Sequence, residues 1–318
     1  MSRRPPEVTA FAARLGQTLD RLVPEGELGV AVSGGPDSLA LLLLAAEARP
    51  GQVKAATVDH GLRPESAAEA AFVADCCTRL GIPHDVLTVT VASGASLQAQ
   101  ARTARYAALA AWAERFGLAA VATAHHADDQ AETLLMRLAR GSGLAGLAGV
   151  RESRALTDRV RLVRPLLGLR KAALAAVVEA AGLEPVDDPA NADPRHDRSR
   201  VRSLLGRTEW LDSARLARSA TALAEAEEAL AHAANRLANE RLVRSEHGVR
   251  IEPHDLPAEF RRRLLLLGYD RLGLARPDGP EIERAMRQLE AGTRVTLGGA
   301  LLEGGTVWRL SPEPPRRS

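Results

Sequence analysis

Apolar and polar positions alternate in blocks along the first half of the chain. Short apolar runs, typical of buried strands, are predicted at Leu28–Val32, Val53–Val58, Asp85–Val91 and Ala119–Ala124. Longer runs with helical character follow them, at Leu39–Ala48, Glu65–Leu80, Leu97–Phe116 and Asp128–Ala139. Strands separated by helices predict an α/β domain with a parallel sheet and right-handed crossovers.

The second half is dominated by helical patterns. Helices are predicted at Ser213–Leu242 and near residues 258–273 and 280–291, whereas the polar segment Glu184–Arg200 is expected to be irregular. The chain is predicted to end in a hairpin of Arg294–Leu297 and Val307–Leu310 around Gly304-Gly305. We therefore expect a catalytic domain at 1–210, a linker helix at 211–245 and a smaller, mainly helical α+β domain at 246–318.

Polar clusters follow three of the predicted strands. They are Ser33–Ser38, Asp59-His60-Gly61 and His125–Asp129. Ligands of parallel α/β sheets bind beyond the carboxyl ends of the strands. The sequence therefore predicts a functional site at this edge of the sheet.

The cluster at 33–38 reads Ser33, Gly34, Gly35, Pro36, Asp37 and Ser38. Glycines between a strand and a helix let backbone N–H groups surround an anion, and the two serines add hydroxyl donors. Asp37 would repel a bare phosphate, so its presence suggests a bridging Mg²⁺ and a nucleoside triphosphate such as ATP. The alternative is an ordinary turn with one capping residue. A Walker A motif is absent.

The cluster after the fourth strand spaces His125, Asp129 and Glu132 so that they share one helix face. Two carboxylates there suit an amine or an ammonium group. The alternative is a polar helix cap, in which the aspartates interact with the helix dipole. A metal site at His125 and His126 lacks matching ligand spacing.

Composition places the chain among globular proteins, with 46% hydrophobic and 26% charged residues. No apolar run is long enough to cross a bilayer, so no membrane association is expected. The N-terminus lacks the apolar stretch of a signal peptide, and Cys76 and Cys77 are adjacent, which fits no disulfide framework. These features favour a cytoplasmic protein.

The net charge of +2 is unevenly distributed. Residues 1–150 hold 13 basic and 15 acidic residues, whereas Arg151–Lys171 alone holds seven basic and two acidic ones. Arg195–Arg207 holds five basic and one acidic residue. Such stretches can follow a phosphate backbone, and the alternative is solvated surface.

The loop Ser33–Ser38 is similar to the SGGxDS signature of the N-type ATP pyrophosphatases. Further segments resemble the tRNA(Ile)-lysidine synthetase family within that superfamily. They are Val58–Arg63, His125–Thr133, Arg140–Leu147, Arg164–Leu167 and Asp188–Arg202. The match covers about residues 28–205, and Thr296–Gly299 resembles the family's first C-terminal domain, so we expect a short form without the second one.

The resemblance implies a Rossmann-like catalytic domain of the HUP type and an ATP-dependent ligase that forms a carbon–nitrogen bond. In that family, ATP adenylates the C2 oxygen of the wobble cytidine of tRNA(Ile) with a CAU anticodon and releases pyrophosphate. The ε-amine of free L-lysine then displaces AMP, which produces lysidine. ATP and Mg²⁺ are the implied cofactors.

The resemblance also implies roles for individual residues. The loop residues Ser33, Gly34, Gly35, Pro36 and Ser38 would hold phosphates, Asp37 would hold Mg²⁺, and Asp59 and His60 would contact the nucleoside. The residues expected to take part in catalysis are Asp37, His125, Asp129 and Glu132. Lysine would be bound by Arg105, Asp129 and Glu132. Contacts to tRNA are expected from Arg164, Lys171, Arg195, Arg198, Arg200 and Arg202.

Two other functions remain open from the sequence. A tRNA thiolase could use the same ATP-binding fold, but that chemistry commonly uses paired cysteines, and no Cys-x-x-Cys is present. A non-catalytic nucleotide-binding or tRNA-binding module is the alternative from another class. The oligomeric state is also open, with a homodimer among the options.

Overall fold

A computed structural model describes residues 6–61, 66–90, 97–186 and 197–313. The chain divides into two compact units. The first comprises Met1–Ser142 and Gly146–Ala222, and the second comprises Gly143–Ala145 and Leu223–Ser318. Within the described ranges, no helix is both long enough and apolar enough to span a membrane.

A six-stranded sheet forms the centre of the first unit. Its strands are β1 (Leu28–Ala31), β2 (Val53–Asp59), β3 (His84–Thr88), β4 (Ala120–Ala122), β5 (Ser153–Ala155) and β6 (Arg161–Val163). The strand order is β3-β2-β1-β4-β6-β5, in which β5 pairs antiparallel with β6 and the remaining pairs are parallel. The predicted parallel α/β architecture is therefore confirmed.

Eight helices are described up to residue 207. They are α1 (Pro6–Leu22), α2 (Pro36–Ala48), α3 (Ser66–Leu80), α4 (Leu97–Arg115), α5 (Ala127–Ala139), α6 (Leu144–Leu147), α7 (Lys171–Ala180) and α8 (Asp197–Arg207). Helix α2 is apolar around most of its circumference, and its leucines at 39, 41, 42 and 44 are buried. This helix is packed in the core, which fixes the loop that precedes it.

The core of the first unit has two parts. One contains α2 and α7 residues together with the strands, and the other contains Leu109 and Trp112 of α4. Gly29 of β1 lies against Trp112, because a Cβ added at Gly29 would lie 2.6 Å from the indole atom Cζ3. A glycine at this position therefore allows the long helix to approach the central strand.

The irregular segment predicted at Glu184–Arg200 is wrong in its last part, since α8 begins at Asp197. The helix contains no buried residue and is strongly polar, so its hydrophobic pattern is weak. It is held instead by ion pairs from Arg198 and Arg202 to side chains of α5. These long-range partners are not visible in the local sequence.

The second unit combines helices with a small antiparallel sheet, as expected from the fold prediction. Helix α9 (Ser213–Arg241) contains the boundary between the units, and α10 (Ala258–Leu272) and α11 (Gly279–Glu290) follow. The strands are β7 (Leu242–Ser245), β8 (Gly248–Ile251), β9 (Arg294–Leu297), β10 (Ala300–Glu303) and β11 (Trp308–Pro312). Their order is β7-β8-β11-β10-β9.

The terminal hairpin was placed incorrectly by the sequence pattern. Strand β9 pairs with β10, which in turn pairs with β11, so the two predicted strands are not direct neighbours. The turn between β9 and β10 is made by Gly298 and Gly299, whose φ angles are 56° and 78°. Only residues that tolerate a left-handed backbone conformation fit such a turn. The sequence contains a second glycine pair at 304–305, and the prediction placed the turn there.

Candidate active site

The phosphate loop connects β1 to α2 and is organised by its own serines. The Ser33 N–H donates to Ser38 Oγ at 3.1 Å, and Ser38 Oγ donates to the Gly35 carbonyl at 2.9 Å. Gly34 has φ +85°, and Pro36 occupies the first turn of α2. The structure thus holds a short, glycine-containing loop at a helix N-terminus, a geometry that suits an anion.

Four acidic side chains and one imidazole form a carboxylate cluster, which we define as Asp37, His126, Asp128, Asp129 and Glu132. His126 Nε2 lies 3.4 Å from Asp37 Oδ2 and 3.5 Å from Asp129 Oδ2, and its Nδ1 lies 3.7 Å from Asp128 Oδ2. Burial alone would lower the pKa of His126, but the hydrogen bond to Asp37 and the charges of Asp129 and Asp128 raise it above its ordinary value. The buried imidazole therefore carries positive charge more readily than a free histidine.

Two arginines of α8 contact the carboxylate cluster. Arg198 donates through Nε to Glu132 Oε2 at 2.6 Å and through Nη2 to Asp129. Arg202 donates through Nε to Glu132 Oε1 at 2.8 Å. Glu132 is only 2% exposed, so its charge depends on these partners. The cluster is thus a site that holds cations.

Two of the aspartates in the cluster also have structural partners. Asp129 Oδ2 accepts the His126 N–H at 3.0 Å and so caps α5, as the alternative interpretation of this segment predicts. Asp128 Oδ2 accepts the Lys171 N–H at 2.8 Å, which joins the N-terminus of α7 to the site. Capping and cation binding occur together here, because each carboxylate has two oxygens.

A group of arginines surrounds Tyr106, and we refer to Arg102, Arg105, Arg154 and Arg164 as the arginine cluster. The guanidinium carbons of Arg102, Arg105 and Arg154 lie 5.1, 5.3 and 5.0 Å from the centroid of the Tyr106 ring. Such contacts are favourable cation–π interactions. Arg164 also lies near this tyrosine, because each alters the pKa of the other. So much positive charge in one place suits an anionic ligand.

The adjacent histidines experience opposite charges. Burial, followed by the charges of Arg164, Arg102 and Arg105, lowers the pKa of His125 to about 3. Its Nδ1 lies 3.1 Å from Thr123 Oγ1. His125 is therefore neutral at physiological pH, whereas His126 is surrounded by carboxylates. The two clusters thus act on consecutive residues, the arginine cluster on His125 and the carboxylate cluster on His126.

Asp59 is the last residue of β2, and His60 follows it at the same edge of the sheet. Asp59 Oδ1 accepts the Gly61 N–H at 2.8 Å, and this bond together with one from Ser66 lowers the Asp59 pKa. Burial and the nearby charge of Arg105 lower the pKa of His60. His60 therefore lies close enough to Arg105 to be affected by the arginine cluster.

The residues predicted to contact tRNA lie in different environments. Arg164 is 3% exposed and donates to the Arg151 carbonyl at 2.6 Å, so it is not a surface phosphate contact in this conformation. Lys171 and Arg200 have exposed side chains, and Arg198 and Arg202 bind the carboxylate cluster. Arg195 lies outside the described residues.

Sequence reasoning did not assign roles to His126, Arg102, Arg154 or Tyr106. The spacing rule placed His125 on one helix face with Asp129 and Glu132, and this prediction is wrong. Helix α5 begins only at Ala127, and it is His126 that lies 3.5 Å from Asp129 Oδ2. Arg154 reaches the site from β5, a strand of three residues that the pattern did not predict.

The residues present fit one divalent cation shared with a ligand. Asp37 Oδ1 is buried and has no hydrogen-bond partner among the described residues. Within those residues there is no group of three or more His, Cys, Asp or Glu side chains arranged to hold a metal alone. Mg²⁺ is usually bound by one or two carboxylates together with substrate phosphates, and Asp37 beside the phosphate loop matches that pattern.

A surface hollow of about 480 Å³ lies at the opposite edge of the sheet. Its lining includes Glu114, Asp158 and Arg159, and none of the site residues described above. This hollow is therefore separate from the phosphate loop and from the two clusters at the carboxyl ends of the strands.

Comparison with known proteins identifies the class that this fold and this loop define. Residues 8–209 match the PP-loop domain family, a class of ATP-using domains. A U34-tRNA thiolase, NcsA from Methanococcus maripaludis, has the same fold, with a TM-score of 0.59 and 18% sequence identity. That alignment covers 69% of this chain and 80% of the thiolase.

Curated relatives are more specific. The chain is 48% identical to the tRNA(Ile)-lysidine synthase of Novosphingobium aromaticivorans, over 98% of this chain and 96% of that protein. It is 44% identical to the tRNA(Ile)-lysidine synthase of Zymomonas mobilis, over 92% of this chain and 90% of that protein. The chain belongs to the tRNA(Ile)-lysidine synthase family, which confirms the family resemblance seen in its motifs.

Proposed function

We propose that this chain ligates free L-lysine to C2 of the wobble cytidine of tRNA(Ile) with a CAU anticodon, through an adenylated cytidine. ATP supplies the adenylate, and pyrophosphate and AMP are released. The observation that carries this proposal is the pair His125–His126. His126 of the carboxylate cluster lies 3.4 Å from Asp37 of the phosphate loop, and the charges of the arginine cluster act on the preceding residue, His125. A free amino acid with an additional amine needs both kinds of partner.

Adenylation is the first chemical step. The C2 oxygen of cytidine attacks the α-phosphorus of ATP, the bond to the bridging oxygen breaks, and pyrophosphate leaves with the electron pair. The loop residues Ser33, Gly34, Gly35 and Ser38 hold the phosphates through N–H and hydroxyl groups. Mg²⁺, held by Asp37 when bound, neutralises charge on the phosphates.

The second step uses lysine. Its α-carboxylate binds Arg105 in the arginine cluster, and its ε-amine lies near Asp129 and Glu132. One of these carboxylates accepts the proton that the amine loses as its nitrogen attacks C2. The C2–O bond then breaks, and AMP leaves with the former cytidine oxygen. Neutral His125, which the charges of the arginine cluster affect, hydrogen-bonds the base or the adenylate in this scheme.

Arg198 and Arg202 give independent support to the lysine site. Without a ligand, their guanidinium groups occupy the oxygens of Asp129 and Glu132 that the lysine amine would use. Both arginines are about half exposed, at 46% and 42%, so they can turn toward an RNA phosphate when lysine enters. Lys171 and Arg200 provide further contacts of this kind, and we assign the domain at 246–318 to the remainder of the tRNA.

A thiolase reaction is the alternative for this fold, and the cysteines do not favour it. Cys76 and Cys77 are both buried in the core, and burial raises the pKa of Cys77 to about 12. A thiol that stays protonated and inaccessible is a poor sulfur carrier and a poor cluster ligand.

The two-step order can be tested with ATP that carries label on its α-phosphate. Without lysine, we expect the label to accumulate in tRNA(Ile) as an adenylate that is covalently attached to the RNA. Addition of unlabelled lysine should then release labelled AMP, because the amine displaces it. Label that never enters RNA, or that is released by a sulfur donor and not by lysine, would reject the proposed order.

A further inference from the structure

Trp210 is exposed to an unusual degree for a tryptophan. Its exposed fraction is 77%, the largest among the exposed large hydrophobic side chains of the described residues. The other two tryptophans of the chain, Trp112 and Trp308, are 3% and 1% exposed. A large apolar ring left in water commonly marks a contact with a partner.

The turn that carries Trp210 is fixed by hydrogen bonds. The Leu211 N–H donates to the Thr208 carbonyl at 3.0 Å, and Asp212 Oδ1 accepts the Arg215 N–H at 2.9 Å at the start of α9. Asp212 also accepts from Arg170 Nη1 at 2.8 Å. The ring is thus presented by an ordered turn and not by a loose loop.

The same contacts tie this turn to the candidate active site. Arg170 Nε lies 3.7 Å from Asp128 Oδ1, and Asp128 belongs to the carboxylate cluster. One arginine therefore bridges the cluster and the base of the turn that carries Trp210.

The surroundings of Trp210 are positively charged. Between residues 197 and 218 there are six arginines and three carboxylates. The side chains of Arg207, Arg215 and Arg218 make no ion pair or hydrogen bond within the described part of the chain, and all three are exposed. Arg215 also interacts electrostatically with Asp212 and lowers the pKa of that carboxyl group. Three exposed arginines close to this turn in the sequence favour a polyanion over an apolar protein surface.

We propose that Trp210, Arg207, Arg215 and Arg218 form an RNA-binding surface, on which the indole ring stacks against an unpaired nucleobase. The proposal rests on the proposed function, since it takes the RNA substrate as the occupant. The flat aromatic ring can stack against a base, and the exposed arginines can contact phosphates, so this surface matches the two main features of single-stranded RNA. An anionic membrane or a second copy of this chain would use the arginines but not the stacking geometry.

The test uses the intact chain and tRNA(Ile), with fluorescence as a readout that does not depend on catalysis. Because Trp112 and Trp308 are buried, tRNA should quench mainly the emission of Trp210. We expect quenching in the wild type and its loss in Trp210→Phe. Trp210→Ala should weaken tRNA binding about tenfold, as loss of one base–aromatic stack does, and Trp210→Phe should retain most of the affinity.

Val86→Ala is the matched control, because Val86 is 48% exposed and lies on β3, away from this turn. It should bind tRNA as the wild type does. An unchanged tRNA affinity in Trp210→Ala would overturn the proposal. It would also be overturned if Trp210 were required for binding to anionic vesicles, or for dimer formation, but not for binding to RNA. Lysine transfer by the wild type is measured in parallel, so failure of the surface and failure of the proposed function give different results.

Discussion

Replacing Asp37 with alanine is expected to lower pyrophosphate release with tRNA(Ile) by about a thousandfold or more, while the protein stays folded. The loss follows because Asp37 is the acidic side chain of the phosphate loop, and a missing metal ligand removes charge stabilisation from the transition state. Asp37 Oδ1 has no hydrogen-bond partner among the described residues, so its removal leaves no broken contact at that atom. Its other oxygen, Oδ2, lies 3.4 Å from His126 Nε2, so the substitution also removes this contact.

Stability measurements separate these two roles. The free energy of unfolding of Asp37→Ala should stay within about 1 kcal/mol of the wild type, since the change also removes one of several neighbouring negative charges. Asp75→Ala is the matched control, because Asp75 is 69% exposed on α3 and its ion pair is with Arg79 on the same helix. The assignment of Asp37 is wrong if pyrophosphate release persists in Asp37→Ala, or if both variants lose it equally.

The second large effect is expected from Glu132→Gln. The substitution keeps the shape of the side chain but removes the charge that Arg198 and Arg202 contact. Hydrogen bonds to a charged group contribute about 1.5–3 kcal/mol, so kcat/KM for lysine should fall by roughly 10- to 150-fold. The KM for ATP should stay unchanged, because Glu132 lies on α5 and not on the loop proposed to bind the phosphates.

Glu114→Gln provides the comparison, since Glu114 is an exposed glutamate at the opposite edge of the sheet. It should leave kcat/KM for lysine unchanged. Steady-state rates at varied lysine, with ATP and tRNA saturating, give the required values. A Glu132→Gln protein that lost affinity for ATP and lysine alike would indicate a collapsed site, and one that lost neither would remove Glu132 from lysine binding.

The parts of the fold that the sequence predicted are those with a strong local signal. The strands and helices around the phosphate loop repeat with clear periods, and the loop itself combines glycines, a proline and capping residues within six positions. The polar clusters could be assigned to one sheet edge because parallel strands end together. Each of these inferences needs only short-range information and one topological rule.

The parts that were missed depend on partners far away in the chain. Arg198 contacts Glu132 across 66 positions, and this pair anchors a helix in a segment that looked irregular. The pKa of His125 is lowered by burial and then by Arg164 and the α4 arginines, and the pKa of His126 is raised mainly by Asp37 and Asp129. Arg164 and Asp37 are far from the histidines in the sequence, so no local pattern connects them. In the terminal sheet, the glycine pairs at 298–299 and 304–305 were both compatible with a hairpin turn, and the hydrophobic pattern did not show which pair forms it.

The most direct test of the proposed function is ATP-dependent transfer of labelled L-lysine to purified tRNA. We expect stoichiometric incorporation into tRNA(Ile) with a CAU anticodon, and none into a tRNA(Met) control with the same anticodon. Omission of ATP should abolish incorporation. No incorporation into tRNA(Ile), with ATP present and RNA binding intact, would contradict the proposed function.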